Sequence, residues 1–142
     1  MTYLLDVNVL IALIDTAHVQ HAAAKAWFST VGQCSWATCP LTENGVLRIV
    51  GNPRYPNSPG SPILVAPLLR ALRIMSGHMF WPDDLSLVTS PHVHPSRLYQ
   101  SRSITDTYLL ALARANNGKL ATFDRHMATT AVPNGDCSLH LL

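Results

Sequence analysis

Charged residues are scarce in this sequence, and long hydrophobic runs are missing from it. Asp, Glu, Lys and Arg together make up 13% of the 142 residues, against 48% hydrophobic residues. So little charge among so many hydrophobic residues excludes an intrinsically disordered chain. No apolar run is long enough for a membrane span, and no basic segment before a long apolar stretch marks a signal peptide. We expect a globular, cytoplasmic protein that folds as a single domain over residues 1–142.

Cysteine and histidine patterns typical of metal centres are also missing. The three cysteines, Cys34, Cys39 and Cys137, are odd in number and show no CxxC spacing, which argues against a disulfide framework and a cysteine zinc site. The seven histidines are scattered without an HExxH or similar motif, so we expect no histidine metal site. Free thiols in a reducing cytoplasm are the expectation.

The first acidic residue follows an apolar run near the amino terminus. Residues 3–5 are apolar and predict a buried strand, whereas residues 9–14 predict a buried helix. Asp6 therefore lies where a strand ends and a helix begins, an edge at which ligand sites of open α/β sheets collect. The alternative is that Asp6 only caps the helix, a role that Asp and Asn favour.

The same arrangement returns late in the chain, where a strand predicted from Lys119 runs into Asp124. Two neutral residues, Asn8 and Thr122, accompany the two acids. Each could position a carboxylate or a water molecule, or could serve only the local turn or strand.

Two further acids begin apolar stripes on predicted helices. Glu43, the only glutamate, follows Pro40, which suits the first turn of a helix, and Asp106 follows the possible caps Ser103 and Thr105. Apolar residues stand three, four and seven positions after each acid: Val46, Leu47 and Val50, and Leu109, Leu110 and Ala113. Both acids should therefore face inward. For Glu43 the alternative is stabilisation by the helix dipole alone.

The remaining elements complete an alternation of strands and helices. The sequence predicts helices over residues 18–30 and from Pro62 to about residue 75, and strands over residues 34–37, 79–81 and 138–142. In the helix from Pro62, we expect Pro67 to cause a kink or a late start and four leucines to face inward: Leu64, Leu68, Leu69 and Leu72. The alternation predicts a three-layer α/β/α fold with a mostly parallel central sheet.

In such a sheet, Asp6, Glu43, Asp106 and Asp124 can converge on one edge. Four clustered carboxylates repel one another unless cations neutralise them. Oxygen ligands without paired His or Cys select Mg²⁺ or Mn²⁺, and such a site can activate water against a phosphodiester. If four of the eight acids lie in this site, the ten Lys and Arg residues face only four acids on the rest of the surface. That surface is then basic, which suits a polyanionic substrate.

Four stretches resemble the motifs of PIN-domain nucleases, in the family's order and spacing. They are LLDVNVL at residues 4–10, LTENGVLR at 41–48, ITDTYLLALA at 104–113 and LATFDRHM at 120–127. The small size and residues 81–84 resemble VapC-type toxins of bacterial toxin–antitoxin pairs. The resemblance implies a PIN-like fold and a metal-dependent ribonuclease, usually a homodimer, silenced by a VapB-type antitoxin. The residues that match the family's acidic quartet are Asp6, Glu43, Asp106 and Asp124.

Other functional classes fit the sequence less well. A haloacid-dehalogenase-like phosphatase would need an acid at the position of Asn8, and a receiver-type signalling domain would need a lysine after its strand, whereas Lys119 precedes one. A catalytically silent PIN scaffold that binds RNA or protein would not need the intact quartet.

Asp83 and Asp84 are interpreted as the polar end of a strand. The leucines of the helix predicted from Pro62, together with Val46 and Val50, offer apolar surface, and we predict that part of it lines a groove for an amphipathic antitoxin segment.

Overall fold

A computed structural model describes all of residues 1–142. Five strands form one sheet, in the order β3-β2-β1-β4-β5. They are β1 (Tyr3–Leu5), β2 (Trp36–Thr38), β3 (His78–Phe80), β4 (Lys119–Thr122) and β5 (Leu139–Leu141). Every neighbouring pair is parallel, so the carboxyl ends of all the strands lie at one edge of the sheet.

Five helices connect and cover the strands. They are α1 (Val7–Ile14), α2 (His21–Thr30), α3 (Pro40–Val50), α4 (Pro62–Arg73) and α5 (Ile104–Ala115). None of these helices has the length and apolar character needed to cross a membrane. The predicted α/β class is confirmed, and the sheet is parallel throughout.

Two hydrophobic clusters lie on opposite faces of the sheet. Because successive side chains of a strand point to opposite faces, Leu4 of β1 joins one cluster and Leu5 joins the other, and both are fully buried. The cluster of Leu4 contains the buried face of α5, and the cluster of Leu5 contains residues of α1, α2, α3 and α4. This packing gives the three layers that the sequence predicts.

Helix α4 differs from its predicted orientation. Val65 and Leu69 are its buried residues, whereas Leu64 is 52% exposed and Leu68 is 45% exposed. The prediction that Leu64 and Leu68 face inward was therefore wrong. The helix is continuous from Pro62 to Arg73 although it contains Pro67. The exposed pair instead adds apolar surface to the outside of the protein.

Several predicted boundaries also shift by one to three residues, among them those of α2 and β3. Helix α2 begins at His21, later than the predicted residue 18, because residues 16–20 form turns. Strand β3 covers His78–Phe80, and the buried Trp81 that follows donates its backbone N–H to the carbonyl of Thr38 at 2.9 Å.

Candidate active site

Asp6 stands at the end of the central strand β1 and is 7% exposed. Its backbone N–H donates to the carbonyl of Ala121 on β4 at 3.0 Å, so the sheet fixes its main chain. Its Oδ1 accepts a hydrogen bond from the backbone N–H of Val7 at 2.7 Å, which makes Asp6 the N-cap of α1. Asp6 therefore caps the helix as predicted, but the cap is not its only contact, because Oδ2 is left for other partners.

Thr122 and Asn8 hold the second oxygen of Asp6. The hydroxyl of Thr122 donates to Oδ2 at 2.7 Å, and Nδ2 of Asn8 donates to the same oxygen at 3.2 Å. Nδ2 of Asn8 also lies 3.0 Å from the Thr122 hydroxyl, and Oδ1 of Asn8 accepts from the backbone N–H of Phe123 at 3.2 Å. Asn8 and Thr122 therefore connect the ends of β1 and β4, so their roles are not confined to the local turn or strand.

Asp124 belongs to the same network. Its backbone N–H donates to the Thr122 hydroxyl at 3.0 Å, and its Oδ1 accepts from the backbone N–H of His126 at 2.8 Å. Burial raises the pKa of Asp6, and the charge of Asp124 raises it further against the opposing hydrogen bonds from Thr122 and Val7. The two carboxylates are thus near enough to repel each other.

Asp106 lies in the first turn of α5, within electrostatic reach of these two aspartates. Burial raises its pKa, and the negative charges of Asp6 and Asp124 add to the increase. The hydrogen bonds that hold Asp6 and Asp124 have no counterpart at Asp106. The structure therefore brings three of the four predicted acids into one electrostatically coupled group.

Glu43, in the first turn of α3, has a different environment. Its Oε1 accepts from Nη1 of Arg73 at 3.1 Å, and its Oε2 accepts from the hydroxyl of Thr38 at 3.1 Å. The hydroxyl of Thr38 also lies 2.8 Å from Nε2 of His78. Since β2 neighbours β1 in the sheet, Glu43 lies at the same edge as the aspartates, but both of its oxygens already have protein partners.

The chemistry of this edge suits a hard divalent cation. Carboxylate oxygens are the ligands that Mg²⁺ and Mn²⁺ prefer, and a bound cation offsets both the burial and the mutual repulsion that raise the pKa values of Asp6 and Asp106. No three Asp, Glu, His or Cys side chains converge closely enough to enclose an ion in this arrangement.

Sequence reasoning missed three residues around this edge: Thr38, Arg73 and Asp83. Thr38 and Arg73 hold Glu43, as described above. Asp83 accepts hydrogen bonds from the backbone N–H of Leu41 at 3.1 Å and from the hydroxyl of Tyr108 at 3.0 Å, so it ties the start of α3 to α5. Asp83 and Asp84 are both exposed, but Asp84 makes no such side-chain hydrogen bond.

A family model for the PIN domain matches residues 3–133 of this chain. The chain belongs to the PIN-domain family. This membership confirms the family predicted from the four motifs, and the phosphatase and receiver-domain alternatives do not fit it. The four acids lie within the matched residues.

Similar proteins include ribonucleases of Mycobacterium tuberculosis. Ribonuclease VapC44 is 44% identical over 99% of this chain and 98% of its own length, and ribonuclease VapC39 is 42% identical over 92% of this chain and 94% of its own. The crystal structure of VapC20, described as a sarcin–ricin loop cleaving toxin, matches with a TM-score of 0.61 at 14% identity. That match covers 92% of this chain and 96% of VapC20, and at this identity it concerns the fold.

Proposed function

We propose that this protein is a Mg²⁺- or Mn²⁺-dependent endoribonuclease, acting through a single PIN domain over residues 1–142. The observation that carries the proposal is the pair of hydrogen bonds by which Thr122 joins Asp6 and Asp124 at the carboxyl edge of the parallel sheet. The charges of Asp6 and Asp124, together with burial, also raise the pKa of Asp106 at the start of α5. The ribonuclease class is confirmed by relatives named as ribonucleases at 38–44% identity over most of the chain.

The four acids share one task in this proposal. Asp6, Glu43, Asp106 and Asp124 would hold the cation. A divalent cation at this position supplies Lewis-acid stabilisation of the phosphate charge and lowers the pKa of a water molecule. Thr122 keeps the carboxylate of Asp6 in place through its 2.7 Å hydrogen bond.

Glu43 has a second proposed task. Once released from Arg73, it would orient the water molecule that attacks the phosphorus. Its place in the first turn of α3, at the edge it shares with the three aspartates, supports this assignment.

We further propose that the protein is the toxin of a type II toxin–antitoxin pair and that a cognate VapB-type antitoxin silences it. The exposed leucines of α4, Leu64 and Leu68, offer apolar surface to an amphipathic antitoxin segment. A homodimer is the expected assembly, by analogy with the family.

RNA cleavage by the purified protein tests the proposal directly. We expect cleavage with Mg²⁺ or Mn²⁺, none with EDTA, and a loss of activity in Asp106→Asn. Asp84→Asn is the matched control, because Asp84 is an exposed acid outside the coupled group and should leave most of the activity. Cleavage that persists in EDTA, or that Asp106→Asn leaves unchanged, would contradict the proposal.

Calorimetric titration tests metal binding independently of cleavage. Mg²⁺ or Mn²⁺ should bind to the unmodified protein and much more weakly to Asp6→Asn and Asp106→Asn, since each variant removes one proposed ligand. Unchanged binding in both variants would remove these residues from the ligand set.

A further inference from the structure

A cavity of about 440 Å³ opens beside Glu43, between α3, α4 and β3. Its polar lining consists of Glu43, Arg70, Arg73 and His78, and the rest of its wall is apolar. Arg70 and Arg73 both belong to the last turn of α4. Two arginines therefore face one acid in a space that adjoins the proposed catalytic edge.

An exposed aromatic ring extends this site. Phe80 lies on the edge strand β3 and is 41% exposed. The guanidinium carbon of Arg73 lies 4.6 Å from the centre of the Phe80 ring, within the range of a cation–π contact. The guanidinium of Arg73, which lines the cavity, therefore lies over the Phe80 ring, and the two groups are called the Phe80–Arg73 platform.

The two arginines keep most of their hydrogen-bonding capacity. The pair of Arg73 with Glu43 is the only ion pair in the chain, so Arg70 has no acidic partner. Arg73 donates to Glu43 through Nη1, and a guanidinium carries five N–H donors. Its side chain is 40% exposed, which leaves the other donors accessible to a ligand.

We propose that this cavity is a subsite for one nucleotide of the RNA substrate, next to the bond that is cleaved. Arg70 and Arg73 bind the phosphate, since guanidinium groups match phosphate oxygens in geometry and charge. The base stacks at the Phe80–Arg73 platform, as unpaired RNA bases do on aromatic rings and guanidinium planes. The inference rests on the proposed ribonuclease function and deepens it.

The charge arrangement favours RNA over a protein segment. A phosphodiester that approaches Asp6, Asp106 and Asp124 meets repulsion, and the two arginines beside Glu43, at the same edge of the sheet, offset it. The cavity shares Glu43 with the proposed catalytic group, so a nucleotide bound there is continuous with the cleaved strand.

Binding of RNA under non-cleaving conditions tests the subsite. The probe is a short fluorescein-labelled single-stranded RNA of mixed sequence, with Ca²⁺ replacing Mg²⁺, and fluorescence anisotropy gives the dissociation constant. Arg70→Gln should weaken binding severalfold and lower the slope of log affinity against log salt by about one, as expected for one lost phosphate contact. Arg54→Gln, which removes an exposed arginine in a loop away from the cavity, should have a smaller effect.

The role of the platform needs its own variant. Phe80→Ala should weaken binding of the RNA at least about fivefold, because a base loses its stacking partner, and Phe80→Trp should retain affinity. Neither change should affect binding of an oligomer whose bases are replaced by abasic ribose. Thermal unfolding of each variant checks that the edge strand remains folded.

The outcomes separate the subsite from the proposed function. Cleavage by the unmodified protein, together with unchanged RNA affinity in Arg70→Gln and Phe80→Ala, would overturn the subsite and assign the cavity to another ligand, such as a protein segment. Equal losses with normal and abasic RNA in Phe80→Ala would overturn the stacking role. A protein that neither binds nor cleaves RNA would overturn the proposed function, and the subsite with it.

Discussion

The hydroxyl of Thr122 donates a 2.7 Å hydrogen bond to Oδ2 of Asp6 and accepts one of 3.0 Å from the backbone N–H of Asp124. One threonine thus links two of the proposed metal ligands. Loss of such an outer partner typically costs about tenfold to a hundredfold in metal affinity or activity. Thr122→Val should show a loss of this size in calorimetry and cleavage, whereas Thr122→Ser, which keeps the hydroxyl, should be nearly normal. Equal behaviour of the two variants would remove the positioning role.

Glu43→Gln tests whether this acid acts in the chemical step. The substitution keeps the shape of the side chain but removes its charge. Loss of a carboxylate that orients the attacking water should lower the single-turnover rate by at least about a hundredfold, with no loss of RNA affinity in Ca²⁺, since Arg73 is then freed from its acidic partner. Stability should change by less than about 1 kcal/mol, because the pair with Arg73 is partly exposed. A normal rate would leave Glu43 with a structural role only.

The buried Asp15 gives the fold a defined response to acid. Burial favours a higher pKa for Asp15, but hydrogen bonds from Tyr55, Asn57 and the backbone of Ala17 outweigh it and lower the pKa below 3.8. Burial, together with the hydrogen bond to Asp15, raises the pKa of Tyr55 to about 12. These bonds join the end of α1 to the loop of residues 52–60.

A lowered carboxyl pKa means that the unfolded chain binds more protons in acid than the folded one. The contribution of Asp15 is therefore complete at pH values above 3.8 and is lost as the pH falls through the lowered pKa. Tyr55→Phe should reduce stability by about 1–3 kcal/mol at neutral pH and weaken the fall in acid. Urea unfolding of Tyr55→Phe and of the unmodified protein at several pH values measures the loss of stability at neutral pH and the fall of stability in acid. Parallel pH curves for the two proteins would contradict this role for Asp15.

The exposed leucines of α4 predict the position of the antitoxin. Leu64→Asp and Leu68→Asp should abolish inhibition by the cognate antitoxin while leaving RNA cleavage intact, because both side chains lie outside the core. Val19→Asp, at a residue that is 95% exposed in the turn before α2, is the control. Inhibition that survives both leucine changes would place the groove elsewhere.

The sequence predicts the parts of this site that depend on local pattern. Asp6 and Asp124 each follow a short apolar strand, and a parallel sheet necessarily brings such positions to one edge. Asp106 could be placed from the apolar stripe that it begins on α5. For these residues, the elements and the side-chain direction follow from a few neighbouring positions.

The parts that the sequence did not predict depend on packing between distant elements. Arg73 meets Glu43 only because α4 packs beside α3, and no local signal marks an arginine at a helix end for that contact. Helix α4 also carries adjacent apolar residues, Leu64 with Val65 and Leu68 with Leu69. Its hydrophobic period therefore fits two orientations, and the sheet selects the one that buries Val65 and Leu69.

Asp106 offers the cleanest test of the coupled acids. Its pKa is raised by burial and by the charges of Asp6 and Asp124, so its ionised form destabilises the metal-free fold at neutral pH. Asp106→Asn removes that charge without removing any of the hydrogen bonds that hold Asp6. The metal-free variant should consequently unfold at a temperature equal to or above that of the unmodified protein.

The single-turnover cleavage rate of Asp106→Asn in Mn²⁺, compared with the rates of the unmodified protein and of Asp84→Asn, shows whether these carboxylates form the catalytic metal site. The rate of Asp106→Asn should be lower by at least about a hundredfold, with normal RNA affinity in Ca²⁺ and an intact fold, and the rate of Asp84→Asn should be near normal. A rate for Asp106→Asn equal to that of the unmodified protein would contradict the claim that these carboxylates form the catalytic metal site.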